Sequence, residues 1–135
     1  MVLLFAVLLL IFNAGWGVFV KATLQHAVAE GCRYAITGQT SGTNGQKASI
    51  VSIVQNQAMG LLSGSQAGTI SVTFYNPETL AMTASNAQGN LVQVSVVGYQ
   101  LTPWSHLLYS SSPISITATA TDIIEPSPNN IAPPL

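Results

Sequence analysis

The chain has 135 residues, of which 48% are hydrophobic and only 5% are charged, and its formal net charge is −1. Soluble domains carry roughly 25% charged residues, so Ser, Thr, Asn, Gln and Gly must cover most of the polar surface here. Three basic residues are too few to neutralise a phosphate backbone, which argues against nucleic-acid binding. The single cysteine, Cys32, excludes an internal disulfide and any multi-cysteine zinc site.

The first twenty residues are apolar except for Asn13. About twenty helical residues at 1.5 Å each match the roughly 30 Å hydrocarbon core of a bilayer. A cleaved secretory signal is the alternative, but such a signal places basic residues ahead of a shorter apolar stretch, and no Lys or Arg precedes this one. We therefore predict a membrane-spanning helix over 1–20.

The helix is expected to continue beyond its apolar part. Lys21 opens a polar stretch rich in alanine, in which Glu30 and Arg33 form an i, i+3 pair. Gly38 then ends the helix as a glycine in the position after the C-cap. We predict one long helix over 1–37, apolar in its first half and amphipathic in its second.

The spacing of the apolar residues changes along the rest of the chain. Helical spacing predicts a short second helix over 46–62. Alternation of apolar and polar residues then predicts half-buried strands within the segments 70–74, 92–96 and 114–121. The doublet Val96-Val97 breaks this alternation and indicates a bulge or a change of face.

Three further features complete the predicted architecture. The Gln88-Gly89-Asn90 segment resembles a hairpin turn leading into the second predicted strand. The threonines of 117–121 are expected on the solvent or partner face. The fold class is α+β, with a long helix, a short second helix and a small antiparallel sheet of three to four strands in a domain over 38–125. Residues 126–135 are expected to form an extended, proline-rich tail.

The segment Glu30-Gly31-Cys32-Arg33-Tyr34-Ala35 after an apolar helix resembles the "REGARYA" signature of TadE/TadG-like proteins, the pilin-like components of tight-adherence (type IVc, Flp) secretion systems. Cys32 stands where that family often has alanine. The resemblance implies a helix that resides in the inner membrane before export, a C-terminal domain outside the cytoplasm, and a role in a surface filament or its assembly. Such proteins usually carry a glutamate a few residues into the apolar helix, whereas the first acidic residue here is Glu30.

The candidate catalytic side chains are few and far apart. His26 and Cys32 are six residues apart, which places them on different helix faces. His26 and Glu30 are four residues apart, and an ordinary pair on the helix surface explains this spacing. His106 lies beside Trp104 in the 103–113 connection, where a structural contact is the simpler interpretation. We therefore expect no enzyme activity, no cofactor and no metal site.

We place the candidate assembly residues on the apolar helix. All sides of such a helix become buried when like helices form a bundle. We expect its aromatic residues to be distributed around the helix. Asn13 is expected either to bond to a neighbouring helix or to bond back to its own backbone. The residues assigned to packing in a filament core are Leu4, Phe5, Leu8, Leu9, Phe12, Asn13, Trp16 and Phe19.

Two small residues in the signature segment are open to a functional and a structural interpretation. Cys32 is expected to be a small buried helix residue, and an intermolecular disulfide between subunits is the alternative. Gly31 is expected to mark a close contact, either with another helix or with a strand.

Three functions remain in competition. The first is a structural pilin-like subunit that forms a homopolymer through helix 1–37, with the inner membrane and the pilus assembly machinery as partners before assembly. The second is a membrane-anchored accessory protein that does not polymerise. The third is a secreted binding module that uses Trp104, His106 and Tyr109.

Overall fold

The computed structural model of the protein describes residues 1–40, 45–65, 67–102, 113–126 and 132–135. The elements in chain order are α1 (Val2–Ile36), α2 (Gln46–Gln57), β1 (Thr69–Tyr75), β2 (Met82–Thr83), β3 (Leu91–Leu101) and β4 (Ile114–Ile123). The strands form one antiparallel sheet in the order β2-β1-β3-β4. The predicted α+β class, with its long N-terminal helix and short second helix, is confirmed.

Helix α1 has two halves with different surroundings. Its second half packs on the sheet and on α2 through residues spaced three or four apart, the spacing that keeps side chains on one helix face. These buried residues are Val20, Thr23, Leu24, Ala27, Val28, Gly31, Cys32 and Ala35. The helix ends one residue before the predicted position, and Gly38 follows with φ +64° and donates its N–H to Ala35 O at 3.2 Å.

Helix α2 is shorter than predicted. It ends at Gln57, and Met59 and Gly60 take positive φ values of 52° and 82°, which no α-helix allows. The chain then turns, with Leu61 N–H donating to Ala58 O at 2.9 Å. The prediction of a helix over 46–62 was wrong at its end because Leu61 and Leu62 keep helical spacing although the backbone has already left the helix.

The sheet turns its apolar face toward α1 and α2. Along β3 the buried residues alternate up to Val96 and resume at Tyr99. Pairing with β4 shifts at the same place, since Val96 faces Ala118 and Tyr99 faces Ile116, so β3 holds one extra residue. Gly98 takes φ +76° within this bulge. The predicted bulge is confirmed, and it keeps Tyr99 on the core face.

The opposite face of the sheet is polar and nearly uncharged. Thr117, Thr119 and Thr121 of β4 are exposed, as expected for a solvent-facing row. Gln93 on β3 links the neighbouring strands, because its side chain lies 3.2 Å from the Tyr75 hydroxyl and 3.3 Å from Thr121 Oγ1. This face therefore meets water through hydroxyl and amide groups.

The connection from β1 to β3 contains more structure than the sequence indicates. The predicted turn forms, with Gly89 at φ +82° and Asn90 N–H donating to Ala87 O at 3.2 Å. It does not close a hairpin between neighbouring strands, because the short β2 precedes it and pairs with β1.

The described end of the tail folds back on its own domain. Residues 127–131 of the predicted extended tail lie outside the described residues. Pro134 O accepts the N–H of Gln46 at 2.7 Å, and Pro133 O accepts Asn86 Nδ2 at 2.7 Å. Leu135 lies against Gly45, where an added Cβ would overlap its backbone. The tail thus covers the start of α2.

Candidate functional site

The first half of α1 projects from the domain with its apolar side chains exposed. Leu4, Phe5, Leu8, Phe12 and Phe19 are between 48% and 68% exposed. Leu9, Asn13 and Trp16 are half-buried. The segment from Leu4 to Phe12 thus lies outside the hydrophobic core, and the rest of the chain that the structure describes does not cover its apolar surface.

Length and composition alone make α1 a candidate membrane span. Its most apolar 18-residue window has a mean hydropathy of 2.4, and none of that window is buried in the chain. The helix is therefore compatible with membrane insertion or with a signal sequence.

The aromatic residues of α1 do not spread around the helix, and that expectation was wrong. Phe5, Phe12, Trp16 and Phe19 are spaced seven, four and three residues apart, which returns to one face at 3.6 residues per turn. The rings of Trp16 and Phe19 stack, with centroids 5.5 Å apart and planes at 25°. Leucine, isoleucine and valine occupy the other faces, so the segment remains apolar all round.

Asn13 bonds to its own helix. Its Nδ2 donates to Leu9 O at 3.0 Å, which is the second of the two predicted arrangements. Asn13 precedes the buried Val20 and Ala27 by seven and fourteen residues, so it lies on the helix face that the domain covers further along. The polar side chain therefore sits on the domain side of the helix, where α1 leaves the fold.

A groove of about 300 Å³ lies where α1 leaves the domain. Asn13, Trp16 and Gly17 form its helix side, and an added Cβ on Gly17 would lie 3.3 Å from Leu101 Cδ2. Its domain side consists of Leu101, Thr102, Ile114 and Ile116. Sequence reasoning missed this groove because it joins segments that are about a hundred residues apart and share no local pattern.

Trp16 belongs partly to the domain and not only to the projecting segment. It packs against the hydrophobic core, and it lines a second groove of about 340 Å³ together with Leu61 and Tyr99. Its assignment to inter-subunit packing is therefore corrected in part, because one side of the indole ring is covered by its own chain.

The signature segment divides between two faces of α1. Gly31, Cys32 and Ala35 are buried, whereas Tyr34 is half-buried. Glu30 and Arg33 form the expected i, i+3 pair, with Oε1 and Nη1 3.8 Å apart. Pairs of this kind on an exposed helix surface contribute little stability. The segment is therefore explained largely as a packing surface.

Gly31 marks the crossing of α1 and α2. A Cβ at this position would overlap Val54 Cγ2, and it would lie 3.6 Å from both Ile50 Cγ2 and Val94 Cγ1. Both expected neighbours, a helix and a strand, are thus present. Only a residue without a side chain lets the two helices approach this closely.

Cys32 is buried against β3. Its Sγ lies 3.8 Å from Val92 O, and only 3% of the residue is exposed. Burial raises the pKa of the Cys32 thiol to about 11, and the Asp122 carboxylate adds to this increase. A disulfide to a neighbouring subunit would require the helix to leave the sheet, so the structure favours the buried interpretation over the intermolecular one.

The described residues bring no catalytic group together. His26 is exposed on α1 while Cys32 points into the core. Within the described ranges, no three His, Cys, Asp or Glu side chains are placed to hold a metal ion. The Trp104, His106 and Tyr109 cluster lies outside the described residues.

Comparisons of the chain with protein-family models, with curated proteins and with solved structures give no match. Nothing in them bears on the resemblance of segment 30–35 to the TadE/TadG-like signature. The functional argument therefore depends on the geometry of α1 and its junction with the domain.

Proposed function

We propose that the protein is a structural pilin-like subunit that polymerises into an extracellular surface filament through α1. One observation carries the proposal. Twelve large apolar side chains of residues 1–19 are exposed, from Met1 to Phe19, whereas the second half of the same helix is packed into a domain. The proposal assigns the protein no catalytic role.

The exposed helix cannot remain in water. Burying one large apolar side chain is worth about 1.5–3 kcal/mol, so a dozen of them amount to tens of kcal/mol. The domain does not cover them, and the segment is apolar on every side. Lipid or a bundle of like helices must therefore surround it.

The surface of the domain is suited to close packing of copies. With a net charge of −1 on 135 residues, neighbouring copies repel one another weakly. The exposed sheet face presents hydroxyl and amide groups that bond across a contact without burying charge. A filament with helices at its centre and these domains outside would satisfy both halves of the chain.

The resemblance to TadE/TadG-like proteins supports the same proposal. It adds that the helix resides in the inner membrane before assembly and that pilus assembly machinery handles the subunit. Its residues in this chain are Glu30, Gly31, Arg33, Tyr34 and Ala35.

A second candidate is a membrane-anchored accessory protein of a pilus or secretion apparatus that does not polymerise. The length of the apolar segment favours it, because about twenty residues in a helix match one bilayer core. In this candidate, lipid covers the helix permanently.

The decisive experiment is electron microscopy of mechanically sheared cell-surface material, together with the intact mass of the same fraction. Filaments that contain a chain retaining the apolar helix support the proposal. Protein found only in detergent-extracted membranes, without filaments, overturns it in favour of the accessory role. A soluble chain lacking residues 1–20 in the medium overturns it in favour of a secreted module.

A matched pair of variants separates packing against helices from packing against lipid. Leu8→Ala removes bulk from an exposed position of α1, and Leu80→Ala makes the same change at an exposed position of the domain. In a filament, the shorter side chain leaves a gap between packed helices. In a bilayer, mobile lipid chains fill the space that the side chain leaves. We expect Leu8→Ala to lower filament yield while membrane insertion is unchanged, and Leu80→Ala to leave both unchanged.

A further inference from the structure

The end of the domain from which α1 emerges has an unusual composition. We call this end the base and define it by the segments 60–65, 99–102 and 114–116. These segments contribute lining residues to two of the grooves around Trp16, and they contain no Asp, Glu, Lys or Arg. Ile114, at the start of β4, is 47% exposed on it.

The charged residues lie away from the base. Glu30 and Arg33 lie near the end of α1, and Lys47 is in the first turn of α2, whose Gln46 bonds to Ala35 O. Glu78 follows β1, while Asp122 and Glu125 lie at the end of β4, where Glu125 N–H donates to Ile36 O at 3.2 Å. These are six of the seven charged residues in the sequence. The seventh, Lys21, lies beside the base.

The apolar stretch of α1 runs alongside the base before the first charged residue, Lys21, is reached. The groove shared with the domain begins at Asn13 and the apolar stretch continues to Val20, so about 10 Å of apolar helix lies beside the base at 1.5 Å per residue. A bilayer core is roughly 30 Å thick. If residues 1–20 span it, the base reaches about 10 Å below the level of Lys21.

The side chains at this level are those that suit a membrane interface. Trp16 is half-buried and has an apolar ring with a polar tip, as aromatic residues at bilayer surfaces do. Lys21 lines the groove and its long side chain can reach the headgroups while its stem stays apolar. Amphipathic surfaces insert to a similar depth, about 5–10 Å.

We propose that the base is a lipid-binding surface, which lies in the headgroup and upper acyl region of the bilayer while the charged end of the domain points into water. The partner is the bilayer itself. This inference depends on insertion of the apolar helix and not on polymerisation, so a failure to find filaments leaves it standing.

The test uses two nitroxide labels on one strand of the full chain in phosphatidylcholine–phosphatidylglycerol vesicles. Ile114→Cys places a label at the base, and Ile123→Cys places a matched label at the other end of β4, where the side chain is 54% exposed. Power saturation compares collisions with oxygen, which enters lipid, and with a water-soluble nickel chelate. The unaltered chain, with buried Cys32, supplies the labelling background.

We expect the oxygen-to-nickel ratio at position 114 to exceed that at position 123 by about fivefold or more, as for a side chain several ångströms inside the interface. Equal, water-like ratios at both positions would overturn the proposal. A label at 114 shielded from both reagents would also overturn it, since a second protein copy would then cover the base. Ser115→Cys, exposed on the same strand end, repeats the measurement if Ile114→Cys fails to fold.

Discussion

The side chain of Asn86 donates a hydrogen bond of 2.7 Å to Oε1 of Gln46, and both residues are buried. Gln46 Nε2 in turn donates to Ala35 O at 2.9 Å, and Asn86 Nδ2 also donates to Pro133 O. This pair therefore joins the end of α1, the start of α2, the connection before β3 and the tail. No charge is involved in this junction.

Replacing Asn86 by alanine should destabilise the domain. The change leaves the buried Gln46 Oε1 and Pro133 O without this donor, which costs about 1–3 kcal/mol. Urea unfolding of the full chain in non-ionic detergent, followed by near-ultraviolet circular dichroism, measures the loss. Asn56→Ala, on the exposed face of α2, is the matched control and should change stability by less than about 0.5 kcal/mol. Equal effects of the two substitutions would contradict a structural role for the pair.

Adding a methyl group at Gly31 should disturb the crossing of α1 and α2. The new Cβ would overlap Val54 Cγ2, and overpacking of this kind costs about 1–3 kcal/mol, against a gain of about 1 kcal/mol in helix propensity. Gly15→Ala is the control in the same helix, since a Cβ there meets nothing within 4 Å. We expect Gly31→Ala to lower the unfolding free energy and Gly15→Ala not to lower it.

A double substitution identifies the contact responsible. Val54→Ala removes the atom that the new Cβ would meet, so Gly31→Ala should cost less in that background, with a coupling of about 1 kcal/mol. Simple additivity in the thermodynamic cycle would show that the cost arises elsewhere.

Local patterns predicted most of the secondary structure because the forces involved are local. The end of α1 follows from Gly38, and the bulge follows from the break in alternation at Val96-Val97. The two-residue strand Met82–Thr83 was missed because two residues carry no period. The helical spacing of Leu61 and Leu62 made the predicted α2 too long, because residues in a turn can also bury their side chains in the core.

The long-range contacts of the fold and of the candidate site could not be predicted in the same way. The bond between Gln46 and Asn86 joins residues 40 positions apart, and neither residue stands out in the sequence. The contact of Gly17 with Leu101 brings together two elements that the chain order separates widely. The aromatic residues of α1 share one face because intervals of seven, four and three residues match whole turns of 3.6 residues, which their even distribution along the segment conceals.

The bulge in β3 should depend on Gly98. Its φ of +76° is strained for residues with a side chain, although a Cβ there would meet nothing within 4 Å. Gly98→Ala should therefore cost about 1 kcal/mol, and Gly98→Asn should cost less because asparagine tolerates this region better. Unfolding in urea measures the free energy of unfolding of both variants and of the unaltered chain. If alanine and asparagine are both neutral, the backbone strain is not what selects glycine here.

Cys32 should react slowly in the folded chain. With a pKa of about 11, compared with its ordinary value of 9.0, about one thiol in a thousand is ionised at pH 8, and the sulfur is also buried. Iodoacetamide at pH 8 should modify the unfolded chain in urea at least about a hundred times faster than the folded chain, as read from intact mass. Similar rates in both states would show that the sulfur is accessible and would restore the intermolecular disulfide as an interpretation.

The same thiol makes stability depend on pH in the alkaline range. The folded state holds the proton more tightly than the unfolded state, so the contribution of Cys32 is constant below pH 9 and is lost as the pH rises from 9 to about 11. The unfolding free energy should therefore fall over that interval. Tyrosines and lysines titrate in the same range, so the Cys32→Ala variant is measured in parallel, and the thiol's contribution is the difference between the two curves. Parallel curves for the two proteins would mean that the thiol has the same pKa in both states.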